Sequence, residues 1–197
     1  MKRAAVSISR DLLDRARVAS ATIDNAKSPK EVEVAWSNFL TPAHRIFSKL
    51  EQGAKTNTHS QDWFKKKKVE RRSNEILKYL HHARNADEHG LAKVLDQTQP
   101  GLALGVGPGA WRFDGTLGPG GTLRVTAMGG QVPGQSKFVE KIPAKIKLRT
   151  VIDRGVSYDP PKNDSGSGML PNEAAKAALV FLETMIAEAD QLANQSS

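Results

Sequence analysis

A helical hydrophobic period governs both ends of this chain and is missing from its middle, and that contrast limits the folds open to it. Between residues 100 and 168 the helix breakers crowd together: Gly105, Gly107, Pro108, Gly109, Gly115, Gly118, Pro119, Gly120, Gly121, Gly129, Gly130, Pro133 and Gly134. Glycine weakens a helix by its backbone freedom, and proline by its missing N–H and its ring. The flanks instead repeat apolar residues every three or four positions. The expected fold is therefore mainly α, of the α+β kind. A helical bundle would occupy residues 1–98, a small antiparallel β-rich insertion residues 99–168, and a C-terminal helix over 169–197 would return to the bundle.

Within the N-terminal part, Leu12, Leu13, Ala16, Ala19 and Ile23 predict a helix over 9–26 with Ser9 as its cap. Ser28 caps a second helix, with Pro29 at its first position and Glu31 in its first turn. Pro42 predicts a kink or a fresh start in it before Gly53. Residues 54–60 read as a loop. Ser60 then opens a third helix, expected to continue through Ile76, Leu77 and Leu80 and to resume or continue through Leu91, Val94 and Leu95 until about Thr98.

The middle has its own grammar. Leu123-Arg124-Val125-Thr126 and Ile146-Lys147-Leu148-Arg149 alternate with period two and predict half-buried strands. Trp111-Arg112-Phe113 predicts another, ended by a turn at Asp114-Gly115, and Gly118-Pro119-Gly120-Gly121 predicts a hairpin turn. A meander of about four strands, packed against the helices, follows from this. Gly105-Val106-Gly107-Pro108-Gly109 lacks the Gly-Lys-Ser/Thr ending of a nucleotide-binding loop. Asp153, Arg154 and Tyr158 could reach a site, but a salt bridge and a packed tyrosine are the preferred expectation. Asn163 to Gly168 reads as a linker. Pro171 opens the last helix, whose stripe is Ala175, Ala178, Leu179, Leu182, Met185, Ile186, Ala189 and Leu192; the alanines allow close helix contact.

The chain holds 197 residues, 39% of them hydrophobic, which suffices for one larger domain or a small domain plus an insertion. It has no cysteine, which excludes disulfides, thiol catalysis and cysteine-based zinc sites. No apolar run approaches a membrane span, and the apolar run near the N-terminus is cut short by Arg10 and Asp11, so a cytoplasmic protein without a membrane partner is expected. The net charge of +8 favours polyanionic partners. Its densest source is Lys65, Lys66, Lys67 and Lys68 with Arg71 and Arg72, a candidate RNA-binding segment whose alternative is a solvated helix surface.

Ionisable residues of several kinds meet only in Tyr79-Leu80-His81-His82-Ala83-Arg84-Asn85-Ala86-Asp87-Glu88-His89-Gly90. At about 100° per residue Arg84 and Asp87 fall in the sector of the neighbouring leucines. Buried charge requires a partner, so either the two pair or the helix breaks and presents them. His81 and His82 stand at no helical ligand spacing from Asp87, so neither a metal nor another cofactor is expected.

Arg84-Asn85-Ala86-Asp87-Glu88-His89 fits R-x4-H with a polar residue directly after the arginine, near the end of a long helix. This resembles the catalytic motif of the HEPN superfamily, all-helical nucleases of toxins, defence systems and RNA-processing factors. The resemblance covers the motif and, loosely, residues 1–97 with the C-terminal helix; the β-rich stretch resembles no family. It implies a homodimeric, metal-independent endoribonuclease, with a cognate antitoxin or partner protein in some members. Arg84 would stabilise transition-state charge, His89 would transfer a proton, and Asn85 would orient the reacting groups. In an unbroken helix Arg84 and His89 stand about 140° apart, so this reading needs a bend or a helix end near His89. The alternative is a non-catalytic interaction or dimerisation module with Arg84–Asp87 as a structural ion pair.

Overall fold

The fold is mainly helical, and the way its first two helices meet sets the core. Helix α1 (Arg3–Asn25) lies against α2 (Pro29–Ala54). Their closest approach is at Gly53, where a Cβ would run into the Cβ of Ala5, and the Gly53 carbonyl accepts from Lys2 N at 3.1 Å. The computed structural model describes residues 1–89, 94–97, 101–104, 112–118, 122–129, 139–142 and 146–195. Helix α1 starts earlier than its apolar period predicts. Ser9 is no cap: it is buried inside the helix, and its Oγ donates to the Ala5 carbonyl at 2.8 Å.

Ser28 caps α2 as expected, its Oγ accepting from Glu31 N at 3.2 Å. Pro42 does not restart the helix; it lies within one continuous element. Phe39 and Leu40 before it and Ile46, Phe47 and Leu50 after it bury the same face, and this packing outweighs the one lost hydrogen bond. The next loop is shorter than expected, because Asn57 rather than Ser60 caps α3 (Thr58–Ser73); its Oδ1 accepts from Ser60 N at 2.8 Å.

The long third helix of the sequence reading is two helices. Helix α3 stops at Ser73 and α4 runs from Glu75 to His89. Asn74 makes the break: its N–H donates to the Glu70 carbonyl at 2.9 Å, and its Oδ1 accepts from Leu77 N at 3.0 Å. One side chain that competes with the backbone thus ends one helix and caps the next. The buried face of α4 is Leu77, Tyr79, Leu80, Ala83 and Ala86; Arg84, in the sector of Leu77 and Leu80, is half-buried, and Asp87 is exposed.

Eight short strands follow among the described residues: β1 (Leu95–Gln97), β2 (Gly101–Leu104), β3 (Arg112–Gly118), β4 (Thr122–Gly129), β5 (Val139–Ile142), β6 (Ile146–Leu148), β7 (Val151–Asp153) and β8 (Val156–Tyr158). Leu95 is therefore in a strand, not in a continuing helix. The pairs are antiparallel, β1 with β6, β2 with β5, β3 with β4 and β7 with β8. The first three pairs are nested in sequence, which replaces the expected meander. Asp114-Gly115 is not a turn but a register shift inside β3, and the β3–β4 hairpin closes on the Gly118–Thr122 pair. Trp111, the Gly105 to Gly109 segment, the Pro119-Gly120-Gly121 part of the expected hairpin turn and the residues from Gly90 to Lys93 lie outside the described residues.

Helix α5 (Pro171–Gln195) returns to α1 and buries Ala174, Ala175, Ala178, Leu182, Met185, Ile186 and Ala189. The chain divides into two compact units, Met1–Thr98 with Ile146–Ser197, and Gln99–Lys145. The insertion boundary therefore falls at Ile146 rather than at residue 168. Leu148 and Val151 are buried with the helices, and β7 packs on α4. No helix of the described residues is long and apolar enough to cross a membrane.

Candidate functional site

The side of α4 turned away from Tyr79, Ala83 and Ala86 is polar along its second half. Taken at about 100° per residue, Arg84, Glu88, His81, Asn85, His89 and His82 follow one another around an arc of about 160°. Three elements converge on it: α2 brings His44, α3 brings Arg71, and the β7–β8 hairpin brings Asp153 and Tyr158. That hairpin is placed by its turn. Arg154 and Gly155 both have positive φ, 52° and 79°, the pattern of a two-residue turn whose twist suits antiparallel strands. Tyr79 anchors the approach by donating its hydroxyl to the Arg149 carbonyl at 2.7 Å, and burial pushes the Tyr79 phenol well above its ordinary pKa.

A hydrogen-bonded chain runs across the arc. The Nδ1 of His82 lies 2.7 Å from Asp153 Oδ2, and Asn85 Nδ2 donates to the same oxygen at 2.9 Å. Asn85 Oδ1 in turn accepts from Arg84 Nη1 at 3.4 Å, and Arg84 Nη2 pairs with Glu88. Arg84 is thus bonded to Glu88, one turn on, and not to Asp87. Its Nε is buried without a partner. The bonds from His82 and then Asn85 hold the Asp153 carboxyl below the usual carboxylate range. The ring of Tyr158 lies flat on His82, 3.5 Å between centroids and 9° between planes.

On the other flank His81 stacks on His44 at 5.5 Å, and the His81 Nδ1 is buried without a partner. Burial, helped by the Arg71 charge, lowers the His81 pKa to about 4. Burial and the Arg84 and Arg71 charges also lower that of His44. Both imidazoles are neutral at physiological pH. Arg71 lies over the Phe47 ring at 5.0 Å and has no ion pair among the described residues.

Of the motif residues, the structure brings Arg84 and Asn85 together; α4 is described as far as His89, whose side chain lies outside the described residues. The cationic segment divides. Lys67 is buried and bonded to Glu70 and Glu188 at 2.9 Å each; burial opposes its charge, but the two carboxylates outweigh it and raise the pKa. Lys67 is therefore a structural residue and leaves the RNA-binding set. Lys65 pairs with Asp62, and Lys68 with Glu51, whereas Lys66 and Arg72 are exposed or half-buried and have no ion pair among the described residues. His44 carries no signal in the sequence, since nothing in its own helix marks its meeting with His81. Asp153 and Tyr158 do make the expected salt bridge and packing contact, but their common partner, His82, is set by the tertiary fold.

The described residues hold no cluster of three or more His, Asp or Glu side chains able to bind a metal ion. A groove of about 970 Å³ along α1 and α2 is lined by Val18, Val34 and Arg45 among others and includes none of the residues named above for the polar arc. A smaller cleft of about 330 Å³ lies between α4 and β8, lined by Lys78, Tyr158 and Lys162. Comparison with protein-family models, with curated proteins and with solved structures gave no match.

Proposed function

We propose that this chain is a HEPN-like, metal-independent endoribonuclease of the toxin or defence type, acting as a homodimer, with its reaction centre on the polar side of α4. The observation that carries this reading is the state of Arg84. Its terminal nitrogens are held by Asn85 and Glu88 at the polar surface, and the side chain keeps 22% exposure. A phosphate that displaces Glu88 would meet those terminal nitrogens in a charge-assisted contact. In the reaction the 2′-hydroxyl of RNA attacks the adjacent phosphorus. Arg84 stabilises the negative charge that develops on the phosphoryl oxygens, and Asn85 orients the reacting groups. His89 transfers a proton. Lys65, Lys66, Lys68, Arg71 and Arg72 remain as phosphate contacts for flanking RNA.

A second reading, a non-catalytic interaction module, is favoured by one observation. Arg84 and Glu88 form an i, i+4 pair within a continuous helix, as a structural pair would. Cleavage of a mixed RNA in EDTA by the wild type, Arg84→Ala, His89→Ala and Glu88→Gln decides between them. The nuclease cleaves in EDTA, loses at least about 100-fold in the first two variants, and keeps or gains rate in Glu88→Gln, which releases Arg84. No cleavage by folded wild type and Glu88→Gln would establish the module.

A further inference from the structure

The polar side of α4 also carries a histidine–carboxylate dyad that the R-x4-H motif does not contain. His82 and Asp153 come from different elements and meet in a hydrogen bond of 2.7 Å, with their side chains 18% and 12% exposed. Its effect is on geometry. The carboxylate fixes one ring nitrogen, and Tyr158, stacked flat on the ring, fixes its plane. An imidazole whose Nδ1–H is held by a carboxylate keeps Nε2 as an acceptor, the form a general base requires. Nε2 has no partner among the described residues and is not sealed from solvent.

We propose that His82 is the general base of the cleavage reaction and that Asp153 is its positioning residue; this inference rests on the ribonuclease reading. Position 82 shares a helix face with Asn85 and position 89, being three and seven residues away along α4, within about 60° of each. The same Asp153 oxygen that holds His82 also holds Asn85, and through Asn85 the chain of bonds reaches Arg84. A phosphodiester seated over Asn85 therefore has the imidazole on one side and the guanidinium on the other. His82 Nε2 takes the 2′-hydroxyl proton as the 2′-oxygen bonds to phosphorus. The bond from phosphorus to the 5′-oxygen breaks, and that oxygen takes a proton from His89. The products are a 2′,3′-cyclic phosphate and a 5′-hydroxyl, with one proton taken up and one released. Lys78, beside the Tyr158 ring at 5.7 Å, faces the adjoining cleft and can hold a neighbouring phosphate.

The test uses the full chain and a dinucleotide RNA in two forms, the ordinary phosphodiester and one whose 5′-oxygen is replaced by sulfur, a leaving group that needs no proton. His82→Gln, which keeps size and polarity, is expected to lose at least about 100-fold in kcat on both substrates. His82→Ala should regain rate with added imidazole, and His89→Ala should recover on the sulfur substrate only. Asp153→Asn should lower kcat with KM and Tm little changed, and Asp153→Glu should restore part of it. Wild-type rates in His82→Gln, with Arg84→Ala and His89→Ala inactive, would overturn the base assignment and leave the ribonuclease standing. Recovery of His82→Ala on the sulfur substrate would make it the acid and overturn the proposal as well. No cleavage by the wild type would overturn both.

Discussion

His44 and His81 show how single residues on this site respond to their surroundings. Each imidazole is half-buried beside the other and near Arg71, so the native fold disfavours the proton that the unfolded chain binds. A basic group with a depressed native pKa makes stability fall as pH drops through the interval between its two pKa values. For His81 that interval runs from 6.5 down to about 4. The urea midpoint of the wild type should therefore decline between about pH 7 and pH 5, and the double variant His44→Gln/His81→Gln should lose most of that decline. An equal decline in both proteins would show that these two imidazoles are not the groups refusing protons. Asp153 has the opposite character: its depressed carboxyl pKa gives stability that is present above the ordinary aspartate range and disappears in more acidic solution, so it does not confuse the measurement above a pH of about 5.

Among the elements, the junction of α3 and α4 decides what the site contains. If the helix ran unbroken through residue 74, α4 would keep the direction of α3; the break lets α4 take its own direction against the core. Asn74 makes that break by leaving the helical conformation and bonding to both helices. Asn74→Ala should cost about 1 kcal/mol, the usual value of a helix cap, as measured by urea denaturation. It should also reduce the cleavage rate, because the two helices could then merge and redirect the polar arc. Unchanged stability and rate would mean that packing of Leu77 and Tyr79 alone sets that direction.

At the scale of the molecule, the helical unit and the Gln99–Lys145 unit are separable in principle, since the insertion leaves and returns through the paired strands β1 and β6. Gln97 and Ile146 are direct partners in that pairing, so a two-residue Asn-Gly turn can join them. A chain with 98–145 so replaced should keep its helical circular dichroism and melt cooperatively; loss of the cooperative transition would show that the helical unit needs its insertion. The sequence by itself determined the helices flanking the Gly/Pro-rich stretch, the Ser28 cap and the apolar faces of α2 and α5, because these follow from local period and local hydrogen bonding. It also singled out Arg84 and Asn85 as neighbours on one helix. Only the tertiary structure decided that Leu95 pairs as a strand, that Lys67 is buried between two carboxylates, and that Arg84 turns to Glu88. It alone brought Asp153 and Tyr158 to His82, and His44 to His81. Those outcomes depend on partners far away in the chain, and no period within a helix can encode a contact whose other half lies in another element.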